Sequence, residues 1–314
     1  MVTFADIESA YERIKNTVNR TAVVTNRTLN NRLEAEFFFK CENFQRIGAF
    51  KFRGAYNAVN CLSEEQKARG VIAHSSGNHA QALALAAKLA GIKAVIVMPK
   101  SSPAVKVNAT RDTYGAQVVF CENTITSRQE TAGELIEKFG YTMVHPYDND
   151  NVIAGAGTAA LELLQECGSL DMIFVPVGGG GLLSGTSIAA KGFFPGIKVY
   201  AVEPEAVDDA YRSFQSGKIC VNETTNSIAD GLLTNLCERT FSIIKKNVEQ
   251  IVTVSEEEIK QAMRFIWERM KLVVEPSGAV SLAGVLSGKV PVKNRRVGII
   301  ISGGNVDLNA FFEV

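Results

Sequence analysis

Lys51 stands in the run GAFKFRGA, residues 48 to 55, between Phe50 and Phe52 and bracketed by Gly48 and Gly54. Surface lysines usually keep polar neighbours, because stripping an ammonium ion of water is costly. A lysine set among aromatic rings is partly desolvated, which lowers its pKa and frees a neutral amine to act as nucleophile or base. The plain alternative is a lysine whose stem lies along the rings while its head reaches water.

Two more segments suit anions. VGGGGLLSG, residues 177 to 185, follows the apolar run MIFVPV and opens a helix-like stretch. Four successive glycines let backbone N–H groups converge on an anion, and a helix start behind them adds a favourable dipole. The run lacks both the Lys-Ser/Thr order of a nucleoside-triphosphate loop and the spaced glycines of a dinucleotide fingerprint, so a compact monophosphate is expected. A tight turn needing positive φ angles is the alternative. SSGNHAQ, residues 75 to 81, follows VIAH at the mouth of an Ala-rich stretch. There Ser75, Ser76, Asn78 and His79 add side-chain donors to the free N–H groups of a helix start, which suits a carboxylate; a simple helix cap is the alternative.

Short β-branched runs alternate with Ala-rich or amphipathic segments, the pattern of βα units around parallel sheets, so the expected fold class is α/β. Expected strands include 71 to 74, 94 to 99, 117 to 120, 172 to 177, 199 to 204 and 296 to 302. NHAQALALAAKLAG, 78 to 91, reads as a helix capped by Gly91. Ser63 with Gln66, and Ser255 with Glu258, have the spacing of capping boxes. No repeat or proline-rich linker marks a boundary, and the unit pattern suggests a small lobe, 66–147, inserted into a large lobe formed by 1–65 and 148–314.

The 314 residues are 46% hydrophobic and carry 33 basic and 33 acidic side chains, a net charge of zero. Such a chain has no bulk field to attract nucleic acid or an anionic membrane, so neither is an expected partner. Six cysteines are scattered without metal-type spacing, as expected of free thiols in a reducing compartment. The start, MVTFADIESAYERIK, is acidic where a secretion signal needs a basic end and an apolar run. A cytoplasmic location is the expectation.

Together, GAFKFRGA, the glycine run and SSGNH resemble the β-family, fold type II, of pyridoxal phosphate enzymes, in particular serine racemases and serine/threonine dehydratases. The resemblance covers almost the whole chain. It implies a two-lobed fold like that of tryptophan synthase β, with parallel-rich sheets flanked by helices and the cofactor in the large lobe. It also implies that Lys51 carries pyridoxal 5'-phosphate as a Schiff base, while Gly178, Gly179, Gly180, Gly181 and Leu182 hold the phosphate. Phe50 would stack on the pyridine ring, Asn78 would meet the phenolic oxygen, and Ser302 in IISGGNVDL would meet the ring nitrogen. A neutral hydroxyl at that nitrogen makes the ring a weaker electron sink than a carboxylate would, which suits elimination.

By the same resemblance, Ser75, Ser76, Asn78 and His79 receive the substrate carboxylate. Racemisation needs a proton-transfer group on each face of Cα. The family places Lys51 on one face and a serine at the position of Ser76 on the other, where many threonine dehydratases carry alanine. The segment from Trp267 to Ala279 also resembles the racemase branch. Tyr147, in HPYDND, stands where animal racemases have asparagine and resembles fungal racemases and hydroxyaspartate or threonine dehydratases. Arg128 matches an arginine near the substrate side chain and would favour an acidic substrate; an exposed helix arginine is the alternative. The implied activity is serine racemase with dehydration of L-serine to pyruvate and ammonia. L-threonine or threo-3-hydroxyaspartate dehydration is the alternative.

The acidic run EPEAVDDAY, 203 to 211, would by resemblance hold Mg²⁺, or Ca²⁺ or Mn²⁺, through Glu203, Asp209 and the carbonyl of Val207, stiffening the large lobe. A homodimer is implied too. ATP activation, known in animal members, is left open, since Lys271 is retained but Arg46 and Ile47 replace nucleotide contacts. From the residues alone, a phosphate-binding module without chemistry remains an alternative.

Overall fold

A computed structural model describes residues 1–102 and 104–307. Among the described residues ten strands form two sheets. The first runs β1 (Val23–Val24), β2 (Glu36–Cys41), β10 (Arg296–Ile301), β7 (Met172–Pro176), β8 (Lys198–Pro204) and β9 (Gln250–Val254). All its pairings are parallel except that of β1 with β2. The second runs β5 (Gln117–Cys121), β4 (Ala94–Pro99), β3 (Val71–His74) and β6 (Thr142–Met143), parallel throughout.

Parallel strands are covered by helices on both faces, so they read as unbroken apolar runs. β4 and β7 are buried at every position, and the six expected strands appear within a residue of their expected ends. The helix Asn78–Leu89 closes with Gly91 at φ +69, and both capping boxes form. Around the first sheet the core includes Phe37, Phe39, Phe174 and Ile299. The Ala-rich face of the helix 78–89 packs with Ile96 and Met98 of the second.

The chain order places the functional segments together. In the first sheet, β10 lies between β2 and β7, so the last of the described strands ends beside the segment that follows β2. Such crevices at the carboxyl ends of parallel strands are where open α/β sheets bind ligands. The glycine run follows β7, SSGNH follows β3, and Ser302 follows β10. Among the described residues no helix is long and apolar enough to cross a membrane.

Candidate active site

Lys51 is the first residue of the helix Lys51–Asn60. The chain reaches it through Ile47 and Gly48, both left-handed at φ +60 and +73. A Cβ on Gly48 would come within 2.5 Å of Asn305 Oδ1, and its φ of +73 favours glycine at this turn. The segment after β10 then runs alongside. Phe50 N–H donates to the Ser302 carbonyl at 3.0 Å, Gly304 N–H donates to the Gly48 carbonyl at 2.9 Å, and Ala49 bridges Gly303. Residues about 250 apart in sequence thus fix the approach to Lys51.

The Lys51 amine lies 5.1 Å from the Phe50 ring centroid and donates to the Pro146 carbonyl at 3.1 Å. Burial lowers its pKa to about 8, a shift only partly opposed by the charge of Glu275. The expectation of a second flanking ring does not hold. Phe52 is fully buried and stacks on Tyr56, centroids 5.4 Å apart, because the next helical position is turned about 100° away.

Pro146 and Tyr147 join the lysine to the glycine run. A Cβ on Gly179 would fall 2.3 Å from the Tyr147 ring, and one on Gly181 2.9 Å from Tyr147 Cβ. One on Gly178 would meet Leu232 Cα at 2.8 Å. Gly180, at φ +84, precedes the helix Gly181–Phe193, which has no side-chain cap. The first-turn N–H groups, including that of Leu182, therefore have no partner within the helix.

Across the cleft the helix 78–89 also starts without a side-chain cap. Ser75 Oγ accepts from Gly77 N at 3.3 Å, while Ser75 and Ser76 are half-buried beside it. Asn78 is gripped on both sides, donating to Glu275 Oε1 at 2.9 Å and accepting from Asn305 Nδ2 at 2.8 Å. His79 is buried, with Nε2 2.8 Å from the Val144 carbonyl and Nδ1 unpartnered. Its ring must donate from Nε2, so it offers no second hydrogen to a carboxylate; the backbone N–H groups of the first turn do. Ser302 is 4% exposed, and its hydroxyl reaches only the Ser277 carbonyl, at 3.5 Å.

An amine, a ring, an uncapped helix start and a loosely held hydroxyl thus converge, a donor set that fits an aldehyde-bearing aromatic phosphate. The family model for pyridoxal-phosphate dependent enzymes matches residues 14–303. The chain belongs to this family.

Among pyridoxal-phosphate dependent enzymes, the L-threo-3-hydroxyaspartate ammonia-lyase of Saccharomyces cerevisiae is 51% identical over 310 residues, 98% of this chain and 95% of the relative. The serine racemase of Schizosaccharomyces pombe is also 51% identical, over 98% of this chain and 96% of its own. The solved structure of serine racemase from Dictyostelium discoideum superposes with a TM-score of 0.92 at 50% identity, covering 98% of this chain and 99% of the other.

Other features surround the pyridoxal-phosphate enzyme's cleft. All three histidines of the chain, His74, His79 and His145, lie here. The His145 ring sits 6.1 Å from His74 and 4.7 Å from Tyr147. Burial lowers the pKa of His79 to about 3 and of His145 to about 4, and also lowers that of His74, so the rings are neutral near pH 7. Burial pushes the Tyr147 phenol up to about 12. Arg128 is half-buried with its Nε unpartnered, close enough to depress His74 electrostatically.

Glu275 is the residue that sequence reasoning missed. It is 4% exposed, and burial first, then the charge of Asp230, raises its pKa to about 7, with Asn78 pulling the other way. Its place in VVEPSGA, just before a proline that begins a helix, was the available signal.

Near the glycine run, where Leu236 packs beside Gly180 and donates to Asp209, Glu203 and Asp209 are fully buried. Glu203 accepts from Ala210 N and Tyr211 N at 2.9 and 2.8 Å, and Asp209 from Asn222 Nδ2 and Leu236 N at 2.6 and 3.1 Å. Burial raises both pKa values, Asp209 to about 6, and the neighbouring Asp209 charge raises Glu203 further. Asp208 instead pairs with Arg212 at 2.7 Å. Among the described residues, no group of three or more His, Cys, Asp or Glu side chains is arranged to hold a metal. All six cysteines are free; Cys41 and Cys121 are buried and the other four partly so.

Proposed function

We propose that this protein racemises L-serine and dehydrates it to pyruvate and ammonia. Dehydration of threo-3-hydroxyaspartate or L-threonine is the alternative. The observation that supports the reading is the buried amine of Lys51, pKa lowered to about 8, bonded to the Pro146 carbonyl beside Tyr147, which packs on Gly179 and Gly181.

Lys51 would hold the cofactor, with Gly178 to Gly181 and Leu182 on its phosphate, Phe50 against its ring, and Asn78 and Ser302 on its polar edge. Once bound, pyridoxal phosphate withdraws electron density from Cα of the amino acid attached to it. The N–H groups and hydroxyls of Ser75 to His79 hold the substrate carboxylate. Lys51 takes the Cα proton from one face. The Ser76 hydroxyl serves the other face, and a proton returned from it inverts the centre.

A second reading rests on Arg128. A buried guanidinium nitrogen without a protein partner suits a substrate carboxylate beyond Cβ, which supports hydroxyaspartate. Glu203, Asp209 and the Val207 carbonyl would supply hard oxygens for Mg²⁺, since both carboxylates are fully buried with only uncharged donors hydrogen-bonded to them. We take the protein to act in the cytoplasm as a homodimer.

The test is a steady-state assay of L-serine, L-threonine and threo-3-hydroxyaspartate with chiral product analysis, on wild type and Ser76→Ala. The reading expects L-serine to give D-serine and pyruvate, and Ser76→Ala to lose D-serine while keeping most pyruvate. Equal loss of both products would remove the two-face assignment. Turnover of hydroxyaspartate alone would favour the second reading.

A further inference from the structure

We propose that the helix Asp150–Cys167 is a spacer that fixes the distance between the Lys51 amine and the glycine run, with Gly155 and Gly157 as its positioning residues. The helix that starts at Lys51 crosses it on one face, and the helix that starts at Gly181 crosses it on the other. At the first crossing a Cβ on Gly155 would fall 2.6 Å from the Arg53 carbonyl oxygen and 2.8 Å from Gly54 Cα. One on Gly54, the second glycine of GAFKFRGA, would fall 2.7 Å from the Val152 carbonyl oxygen. At the second crossing a Cβ on Gly185 would fall 2.6 Å from Gly157 N, and one on Gly157 2.8 Å from the Gly185 carbonyl oxygen. Each atom just named is backbone, so turning a side chain relieves neither contact.

Positions 155 and 157 are about 200° apart around a helix and so face opposite ways, which sets this helix between the other two. Local preference does not account for the glycines, since all four lie inside helices, where glycine is a poor former. Close approach of backbones does. Both crossings lie one turn from the chemistry: Gly54 is three residues after Lys51, and Gly185 is four after Gly181, the last of the glycine run. The chain entering the spacer touches both ends as well, since the Pro146 carbonyl accepts from Lys51 Nζ at 3.1 Å and the Tyr147 ring packs on Gly179. Thr158 pins the first crossing, its hydroxyl donating to the Gly155 carbonyl at 2.6 Å and accepting from Arg53 Nη1 at 3.2 Å.

The consequence is selection by length. A rigid ring holds the aldehyde and the phosphate of pyridoxal phosphate apart, so a phosphate seated on the glycine run puts the aldehyde carbon in one place. The Lys51 nitrogen bonds that carbon, and the aldehyde oxygen leaves as water with both amine hydrogens. A misplacement of about 1 Å costs on the order of 100-fold in such an oriented reaction, while the phosphate stays bound. Gly155 and Gly157 touch no reacting atom and act through the two helices they space.

The spacer rests on the roles proposed above for Lys51 and the glycine run, and the test separates the two. The full chain, stripped of cofactor, is titrated with pyridoxal 5'-phosphate and with pyridoxine 5'-phosphate, whose alcohol in place of the aldehyde cannot form the bond. The ratio of the two affinities isolates the covalent step. Gly155→Ala and Gly157→Ala should each lower that ratio about tenfold, with pyridoxine phosphate binding within about twofold of wild type. Ala160→Gly, which weakens the same buried helix without adding bulk, should lower the melting temperature and leave the ratio alone. Thr158→Val, which loosens the first crossing without adding bulk, should lower the ratio about threefold, and it decides the proposal if the glycine variants do not fold. A wild-type ratio near one would overturn the reading of Lys51 and the spacer with it. A high wild-type ratio that these variants leave unchanged, or that Ala160→Gly lowers equally, would overturn the spacer alone.

Discussion

The chemistry of Lys51 follows from where its side chain ends. With a pKa of about 8, roughly one amine in ten is neutral at pH 7, against fewer than about one in a thousand for a lysine in water. The neutral form is the nucleophile, and lowering the pKa extends it toward lower pH. Cofactor capture by the stripped protein should therefore speed up as pH rises and level off above about 8, followed by visible absorbance. A rate still climbing steeply toward pH 10 would place the amine in solvent. The lysine was legible because an ammonium among aromatic neighbours breaks the usual pattern. Which ring it meets was not legible, because GAFKFRGA does not declare that the helix starts at Lys51 and turns Phe52 into the core.

The helix that begins with Lys51 is held by a buried network two residues along. Arg53 is fully buried and donates to Glu42 at 2.7 and 2.8 Å, to Glu162 at 2.9 and 2.7 Å, and to Thr158 at 3.2 Å. Lys40, also fully buried, donates to Glu162 at 2.7 Å. Burial pushes the Glu162 carboxyl up, but Arg53 and Lys40 outweigh it and hold the group below its usual pKa. Removing one partner leaves a buried charge uncompensated. Arg53→Met or Glu162→Gln should lose about 3–5 kcal/mol of stability in urea unfolding; a loss under about 1 kcal/mol would mean the network is not what holds this helix. A depressed carboxyl stabilises the fold above its unfolded pKa and stops doing so as pH falls through its folded value. The Glu162 contribution should accordingly be present above the ordinary glutamate range and fade as pH falls below it through the depressed folded value.

At the same scale, β4, β7 and β10 could be read from sequence because strands covered on both faces are continuous apolar runs. The two-residue strands β1 and β6 are too short to show any period. Nor could the Arg53 network be foreseen, since Glu162 lies 109 residues away and charged side chains ordinarily mark a surface.

For the whole molecule, the order of strands in the first sheet explains why distant motifs meet: β10, last of the described strands, sits between β2 and β7 and brings Ser302 to Phe50, beside Lys51 in sequence. The proposed cation at Glu203 and Asp209 belongs to this scale, since Glu203 is the penultimate residue of β8 and Asp209 begins the helix Asp209–Ser216. A ligand of the folded state stabilises it by mass action. Chelator should lower melting temperature and activity together, and added Mg²⁺ should restore both; an unchanged melting temperature would remove the metal from the account.

The central claim concerns one covalent attachment. Borohydride reduction of the purified, cofactor-loaded protein, followed by peptide mass mapping, should place the reduced pyridoxyl group on Lys51, and Lys51→Ala should carry none. A turnover-competent protein labelled at another lysine, or at none, would contradict it.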